Sequence, residues 1–375
     1  MLNLSSQLRW IIALAAALAS ACGGAPERED SSVIAAPDST DNTSLVAAEE
    51  ITTVSDDTRP HVQQPALPAP RRNAAIELEP LWTVGGPADP GRFIQPIRIA
   101  VSRLGVLVSE VDGARVLALD SRAGRIVDTI GRYGLGPGEF GRVPTLLGSY
   151  DKPLAFEGEN GRLSLLVPGA NPITSRVASG RRWISACAID ESHVILQYSG
   201  WDDDGYWIST IGEDAALVDS FSYPIPELLA ALPLGRQAPL RQIDDSTCAI
   251  LPAYGRQFAV YRRGRILIGV GVEEAPIPQV VDPGRGVGNI RRLADEVRST
   301  HLQPGGWRGR LMVLYWGTSA HRGRLIDLYD ANLKYESSVV LPFRAEDIAA
   351  SGDTLFVLGE LADEPILAAY LLRPR

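Results

Sequence analysis

The chain has 375 residues, a hydrophobic fraction of 45% and a charged fraction of 22%, which is the composition of a globular protein and excludes disorder along the whole length. Its formal net charge of −9 argues against nucleic acid as the main partner, because neutralising phosphates requires a basic surface. Three cysteines are too few for a disulfide scaffold or a multi-cysteine zinc site.

The N-terminus has the pattern of a secretory signal peptide. A short segment carrying Arg9 precedes an apolar run from Trp10 to Ala19, and small residues follow up to Cys22. The apolar run is too short to span a bilayer. The pattern therefore predicts a signal peptide over residues 1–21. A buried N-terminal helix is the alternative, and the unfoldable composition of the next segment disfavours it.

The end of this segment, Leu18-Ala19-Ser20-Ala21-Cys22, resembles the lipobox of bacterial lipoproteins, with the Leu one position earlier than the family favours. The resemblance implies that Cys22 is lipidated and becomes the acylated N-terminus after cleavage. Several acyl chains anchor a protein stably, whereas one is marginal. Gly23 in the next position implies sorting to the outer membrane. Ordinary cleavage after Ala21, which would release a free periplasmic protein, is the alternative.

Residues 22–75 are predicted to be a disordered acidic and Pro-rich tether. Residues 23–65 contain nine Asp or Glu and two Arg, and they lack the apolar surface that would offset the entropy of ordering. The Pro-rich end of the segment, up to Pro70, should be stiff and extended. The folded domain is therefore expected over residues 76–375.

Short apolar strands separated by turn signals fill the rest of the chain. The best-defined unit has strands over residues 97–101, 106–110, 115–120 and 125–130, joined by turns such as Asp112-Gly113. Four antiparallel strands in such a short stretch form one propeller blade.

The pattern recurs, with second strands predicted to begin near residues 106, 154, 193, 248, 311 and 354. We therefore predict an all-β fold, a six-bladed β-propeller; five or seven blades remain alternatives. The last unit has only three strands, so the strand over residues 81–84 should complete it and cover its edge. Residues 226–232 and 290–297 have the pattern of short helices in loops.

Two stretches resemble NHL-type repeats of six-bladed propellers. They run from Gly85 to Phe93, with Pro96 following, and from Gly131 to Phe140, with Pro144 following. The glycines permit positive φ in a tight crossover between blades, and the Phe can fill the space between the blades. A phosphate-binding loop is disfavoured, because no helix or Lys follows.

One loop could bind a ligand, and its candidate residues are Trp201, Asp202, Asp203, Asp204 and Trp207. Three carboxylates could hold Ca²⁺, and the Trp rings could stack on a sugar. The alternative is a hairpin turn at Asp204-Gly205 whose other Asp side chains face water. The alternating ligands and distal Glu of an EF-hand loop are absent.

The sequence favours a membrane-anchored, non-catalytic binding or scaffold module for an envelope protein, peptide or glycan, which acts as a monomer and needs no cofactor or metal. The alternative is a lactonase- or lyase-like enzyme with a divalent metal in the central channel, for which Glu110, Glu157 and Asp190 are candidates. An Arg-lined or apolar channel would favour binding, and converging carboxylate, Asn or His groups would favour the enzyme. Cys187 and Cys248 could pair in an oxidising periplasm, but both lie in apolar strands, and two buried thiols are expected.

Overall fold

The described part of the chain, in a computed structural model, consists of β-strands and turns without any helix. It comprises residues 70–148, 151–158, 161–176, 183–189, 193–198, 205–211, 217–224, 240–244, 246–251, 257–262, 265–272, 280–281, 292–293, 301–315 and 321–375. The signal peptide, Cys22, residues 23–69 and the helix expected over residues 226–232 lie outside it.

The strands build six four-stranded antiparallel sheets. The first strand, β1 (Ile76–Gly85), belongs to the last sheet. Sheet 1 contains β2 (Pro96–Ser102), β3 (Gly105–Glu110), β4 (Arg115–Leu119) and β5 (Ile126–Ile130). Sheet 2 contains β6 (Thr145–Gly148), β7 (Pro153–Glu157), β8 (Arg162–Leu165) and β9 (Ile173–Arg176). Sheet 3 contains β10 (Trp183–Ala188), β11 (Val194–Tyr198), β12 (Gly205–Ile211) and β13 (Leu217–Pro224).

The C-terminal half repeats the arrangement. Sheet 4 contains β14 (Leu240–Asp244), β15 (Thr247–Ile250), β16 (Gln257–Arg262) and β17 (Arg265–Val270). The short strands β18 (Val280–Val281) and β19 (Arg292–Leu293) form a separate ladder. Sheet 5 contains β20 (His301–Trp307), β21 (Arg310–Tyr315), β22 (Leu325–Tyr329) and β23 (Tyr335–Val340). Sheet 6 contains β24 (Arg344–Ser351), β25 (Thr354–Leu361), β26 (Glu364–Pro374) and β1.

The prediction of a helix over residues 290–297 is wrong at residues 292 and 293, the two positions of this segment that the structure describes. Arg292 and Leu293 pair with Val281 and Val280 as antiparallel strands. Pairing with an apolar partner strand therefore overrides the helical spacing of apolar residues in this segment, because tertiary context outweighs weak local preference.

The first strands of the six sheets form a closed ring. Each one contacts the first strand of the next sheet, from β2 through β6, β10, β14 and β20 to β24, and β24 contacts β2. The predicted propeller is confirmed. The second strands begin within one residue of their expected positions in all six sheets.

The predicted closure by the N-terminal strand is also confirmed. Strand β1 pairs with β26 over its whole length, with Val84 opposite Leu367 and Ile76 opposite Pro374. The outer edge of β26 is therefore covered by the start of the fold, and both ends of the folded chain lie in one sheet.

The hydrophobic core lies between neighbouring sheets. Phe93 and Phe140, which are 2% and 1% exposed, pack between sheets 6 and 1 and between sheets 1 and 2 respectively. Gly85 and Gly131 adopt φ of +78° and +77°, and a Cβ at Gly131 would stand 2.3 Å from the Phe140 ring. These positions need glycine for both conformation and space. Two predictions for these loops are thus confirmed: the glycines adopt positive φ, and each Phe fills the space between neighbouring sheets.

Sheets 3 and 4 are linked covalently. Cys187 in β10 and Cys248 in β15 form a disulfide bond, so the expectation of two buried thiols is wrong. Their Cα atoms are 6.1 Å apart, inside the range of roughly 4.4–6.8 Å that the bond requires. A separation of 61 residues in the chain does not reveal this proximity.

The residues that precede β1 already belong to the folded part of the chain. Asn73 forms a parallel bridge with Ser338, and Ala74 N–H donates to the Ser338 carbonyl at 2.7 Å. The Arg71 guanidinium donates to both carboxylate oxygens of Asp327, at 3.2 and 2.9 Å, and lies 4.8 Å from the Tyr315 ring centroid. The end of the predicted tether is thus fixed to sheet 5.

Candidate functional site

Five of the six first strands, together with residues from the later parts of sheets 4 and 5, line a cavity of about 330 Å³ at the central channel. Strands β2, β6, β14, β20 and β24 all contribute to its lining. In each strand the residues alternate in direction, so every second side chain of a first strand is available to the channel. The channel is therefore the place where side chains from several sheets meet.

The charged residues of this lining are predominantly arginines. Five arginines and three aspartates line the cavity, namely Arg98, Arg241, Arg262, Arg308, Arg310, Asp244, Asp330 and Asp347. Such a lining carries excess positive charge, and its guanidinium groups remain protonated at any physiological pH.

At the turn between β20 and β21, two of the arginines are held in surface ion pairs. Arg308 makes two hydrogen bonds of 2.6 Å to the Asp353 carboxylate, and Arg310 pairs with Glu336. Both guanidinium groups also lie beside the Trp307 ring, 5.4 and 5.7 Å from its centroid. These two arginines are thus oriented by acidic partners outside the channel.

Near the starts of the first strands, Arg98 of β2, Arg241 of β14 and Asp347 of β24 form an electrostatically coupled group. Loss of hydration lowers the pKa of Arg241 to about 9, and the charge of Arg98 adds to the decrease. Burial raises the pKa of Asp347 to about 6, although both arginines oppose this increase. The three charges are therefore close enough to shift one another's pKa, with the Asp347 side chain buried and both arginines half-buried beside the cavity.

Asp347 uses both carboxylate oxygens to hold backbone groups. Its Oδ2 accepts a hydrogen bond of 2.8 Å from the N–H of Ile99 in sheet 1, and its Oδ1 accepts one of 2.9 Å from the N–H of Ile348. The residue follows a β-bulge between Ala345 and Asp347, and a bulge redirects the next side chain. The carboxylate therefore joins the last sheet to the first.

The same junction recurs between sheets 3 and 4 with a neutral residue. A bulge lies between Trp183 and Ser185, and Ser185 Oγ accepts a hydrogen bond of 2.8 Å from the N–H of Leu240. Gln242 adds a second link, because its side-chain amide donates to the carbonyl of Ala188 and accepts from the N–H of Ala188. Buried polar side chains on the first strands thus hold neighbouring sheets in register.

Glu110 and Glu157, two candidate ligands for a metal in the channel, bind backbone N–H groups of loops instead. Glu110 is fully buried, accepts from the N–H of Ile94 at 2.9 Å and pairs with Arg115 at 2.7 Å. Neither glutamate lines the cavity. The third candidate, Asp190, lies outside the described residues.

Glu157 repeats this arrangement in sheet 2. It accepts from the N–H groups of Gly141 and Arg142, at 2.6 and 3.2 Å, and its other oxygen lies 3.6 Å from Arg162. In both sheets a glutamate at the end of the second strand fastens the Gly-to-Phe loop and contacts an arginine five residues later.

The loop singled out by sequence is only partly described. Trp201, Asp202, Asp203 and Asp204 lie outside the described residues, and Trp207 lies in β12 without a described side chain. Its possible Ca²⁺ or sugar site stays a prediction. Among the described residues, no group of three or more His, Cys, Asp or Glu side chains could hold a metal ion.

Sequence reasoning missed the coupled group of Arg98, Arg241 and Asp347. A signal existed for Arg98, which stands in the otherwise apolar strand Ile97-Arg98-Ile99-Ala100-Val101, where a charge has to face the channel or water. Arg241 was hidden because the first strand of sheet 4 was poorly bounded in sequence.

No family model matches this chain, and no curated protein sequence is detectably similar to it. Solved structures are similar in fold. A protein described as exported, from Bacteroides fragilis NCTC 9343, has 10% identity and a TM-score of 0.54 over 84% of this chain and all of that one.

Two further similar structures are a gluconolactonase from Xanthomonas campestris and BamB from Moraxella catarrhalis. The gluconolactonase has 12% identity and a TM-score of 0.48 over 83% of this chain and 98% of that one. BamB has 12% identity and a TM-score of 0.40 over 81% of this chain and 96% of that one. Within the described ranges, no helix is long and apolar enough to cross a membrane. The likeness to the exported protein, at a TM-score of 0.54, is one of fold alone, and the closed ring of antiparallel sheets makes this chain a β-propeller protein.

Proposed function

We propose that this chain is an exported, lipid-anchored six-bladed propeller that binds a protein, peptide or glycan of the cell envelope at its central channel. In this proposal the propeller acts as a binding module and carries out no reaction on its ligand. Export and anchoring rest on residues 1–22, where an apolar run ends in a lipobox-like segment and Cys22.

The arginine-rich lining of the channel carries the proposal of binding. Arginine presents several fixed donors, stays charged, and cannot serve as a general base at neutral pH. A lining of this kind recognises groups on a ligand. Acid–base chemistry needs a group that titrates near the working pH, and Asp347, whose pKa is about 6, is engaged by two backbone N–H groups.

The aspartates of the lining support the same interpretation, because each one accepts hydrogen bonds from backbone N–H groups. Asp347 accepts from two N–H groups, Asp244 Oδ1 accepts from the N–H of Ser246, and Asp330 Oδ1 accepts from the N–H groups of two residues in its own turn. Carboxylates held in this way stabilise turns and junctions.

Affinity capture tests the binding proposal. The full chain, cross-linked in intact envelopes, should yield a discrete product that is lost in the Arg98→Gln variant and retained in Arg125→Gln, which removes an exposed arginine outside the channel. If the unaltered chain and both variants capture the same product, the channel is not the binding site.

Metal content tests the absence of catalysis. We expect no stoichiometric divalent metal in the chain purified without chelator. Retention of about one equivalent of Ca²⁺, Zn²⁺ or Mn²⁺, together with hydrolysis of lactones or esters, would contradict the proposal and support metal-assisted catalysis.

Fractionation tests the anchor independently of the ligand. Cys22 is the proposed lipid attachment site, so Cys22→Ser should move the chain from the membrane fraction to the soluble periplasmic fraction. The same distribution for both chains would contradict lipidation at this residue.

A further inference from the structure

Exposed apolar side chains are concentrated on one face of the ring. Strands alternate in direction within each sheet, so the turn between its second and third strands lies at the same end as the loop that leads into its first strand. We call the surface at this end of sheets 6, 1 and 2 the loop face, and it comprises residues 86–95, 111–114, 131–143 and 361–365. Of the eight large hydrophobic residues that are exposed in the described part of the chain, five lie on the loop face, namely Ile94, Val111, Tyr133, Leu135 and Leu361.

The loops of this face contact one another across neighbouring sheets. The N–H of Val111 donates to the carbonyl of Gln95 at 3.0 Å, and the N–H of Gly86 donates to the carbonyl of Pro365 at 2.7 Å. Sheets 1 and 2 share a buried cluster that includes Phe140, beneath the loop that joins them. The five exposed side chains therefore belong to one continuous surface. Contiguous apolar surface on the outside of a protein marks an interaction site.

The loop between sheets 1 and 2 presents the two most exposed of these side chains. Tyr133 and Leu135 are 72% and 75% exposed, although hydrogen bonds fix the loop around them. The Glu139 carboxylate accepts from the N–H of Gly136 at 2.8 Å and from the Arg132 guanidinium at 2.9 Å. A loop that is already fixed loses little conformational freedom when it binds, and Tyr is enriched at the residues that dominate binding energy in protein interfaces.

The charges beside the apolar side chains favour a protein partner over a lipid surface. Asp112 follows Val111 directly, and Asp363 lies two positions after Leu361; both aspartates are exposed. Segments that enter a bilayer interface carry Lys or Arg beside their apolar residues, because anionic head groups attract cations. Aspartates in these positions are repelled by such head groups and attract Lys or Arg side chains of a protein instead.

The loop face lies on the opposite side of the ring from two other features. Asn73 bridges Ser338 in parallel, so the residues just before Asn73 run towards Tyr335 at the start of β23, away from the loop face. The cavity is lined on that opposite side by the β20–β21 turn, which contains Arg308. The loop face is therefore a surface distinct from this end of the channel.

We propose that the loop face is the docking surface for a second protein, different from this chain, whose contact surface has an apolar centre flanked by Lys or Arg side chains. Tyr133 and Leu135 pack against the apolar centre, and Asp112 and Asp363 pair with the flanking cations. A symmetric dimer is disfavoured, because it brings a second copy of the same acidic edge into the interface. The inference goes beyond the proposed function, since it adds a contact away from the channel ligand.

Site-specific photo-cross-linking in intact cells that make the full chain tests this surface. A benzophenone amino acid placed at Ile94, Leu135 or Leu361 should give, at all three positions, an adduct with the same second protein. Leu81 is the control position, because it is 47% exposed on β1, in the outermost strand of sheet 6 and outside the loop face. The adduct should be absent when the benzophenone is at Leu81.

Two variants test the chemistry of the contact, with the benzophenone kept at Ile94. Leu135→Ser should lower the yield of the adduct by about fivefold or more, as for a residue that contributes strongly to binding, and Leu81→Ser should not change it. The double variant Asp112→Lys, Asp363→Lys should also lower the yield, because it repels a basic partner. Glu77→Lys, a charge reversal at an exposed position of β1, is its control. An unchanged melting temperature shows that each variant is folded.

Several outcomes would overturn the proposal. Adducts with phospholipid would assign the face to a membrane, and a cross-linked dimer would assign it to a second copy of the chain. Equal adducts from Leu81 and Leu135, no adduct from any position on the face, or yields that neither test variant lowers would contradict a specific docking surface. Arg98→Gln, which alters the channel, should leave the adduct unchanged. Loss of the adduct in that folded variant would assign the contact to the channel ligand and contradict a separate partner.

Discussion

The carboxylate of Asp347 accepts a hydrogen bond of 2.8 Å from the backbone N–H of Ile99, across the junction where sheet 6 meets sheet 1. The two residues are 248 positions apart in the chain. This bond lies inside the ring and complements the pairing of β1 with β26 at its outside. The propeller is thus closed at two radii, by strand pairing at the rim and by a side chain at the channel.

Removal of the Asp347 side chain should weaken this junction. Asp347→Ala leaves the N–H of Ile99 buried without its partner, and we expect a loss of about 2 kcal/mol in the free energy of unfolding. Urea unfolding at neutral pH measures it. Ser185→Ala, at the equivalent junction of sheets 3 and 4, should lose about 1 kcal/mol, and Glu77→Ala on the exposed surface should lose little. Unfolding of Asp347→Ala at the same urea concentration as the unaltered chain would show that the bond is not needed for closure.

The disulfide bond between Cys187 and Cys248 should contribute strongly to stability. It closes a segment of 61 residues, for which the loop-entropy relation gives about 4 kcal/mol. The double variant Cys187→Ala, Cys248→Ala should therefore unfold at a much lower urea concentration. Reductant should shift the unaltered chain towards the variant and leave the variant unchanged. Alkylation of both cysteines in the chain unfolded without reductant would contradict the bond.

Glu346 should make stability depend on pH. Burial, with the nearby charge of Glu360, raises its pKa to about 7 from the ordinary value of 4.5. The folded state therefore binds this proton more tightly than the unfolded state does. Its favourable contribution is complete below about pH 4.5 and is lost as the pH rises through about 7.

Glu346→Gln should consequently be more stable than the unaltered chain at about pH 8.5, by up to about 3 kcal/mol, and nearly equal to it at about pH 4.5. Urea unfolding at the two pH values measures the difference. Glu77→Gln, on the exposed face of β1, serves as the control and should follow the unaltered chain at both. A stabilisation of Glu346→Gln that is the same at both values would exclude titration of this group as its cause.

Arg71 should anchor the segment before β1. It donates two hydrogen bonds to Asp327, which is 1% exposed, so Arg71→Ala leaves a buried carboxylate with the Ser338 hydroxyl as its remaining donor. We expect a loss of about 3 kcal/mol, as for other broken buried ion pairs. Urea unfolding measures this loss, and Arg71→Lys, which keeps the charge, should lose less.

A double variant separates the ion pair from other effects of the change. When Asp327→Asn is combined with Arg71→Ala, the total loss should be smaller than the sum of the two single losses, because no buried charge is left unpaired. Additive losses would show that the two side chains do not interact energetically.

The succession of strands was predictable because it depends on local pattern. Short apolar runs bounded by turn residues placed the second strands within one residue in every sheet, and the residues from Gly85 to Phe93 predicted a Gly-to-Phe loop whose Phe is buried between sheets. Closure by β1 followed from counting, since a three-stranded last sheet would have left an open edge.

The site was not predictable in the same way. Arg98 and Arg241 lie 143 positions apart by their numbers, and no spacing rule relates them, because they meet only when β2 and β14 take their places around one channel. For Glu110 and Glu157, the residue type suggested a metal site in the channel, but the structure places both outside the cavity lining. They had the chemistry of metal ligands, but their carboxylates are satisfied by loop N–H groups and arginines.

By itself, the sequence determined that this protein is built from repeated four-stranded antiparallel units, and that its N-terminal strand joins the last of them. Those features follow from periodicity and turn residues, which act between near neighbours in the chain. Only the tertiary structure decided that Cys187 bonds to Cys248 and that the channel is lined with arginines. Contacts of this kind depend on the angle and register at which whole sheets pack, and the sum of many small packing energies sets that arrangement.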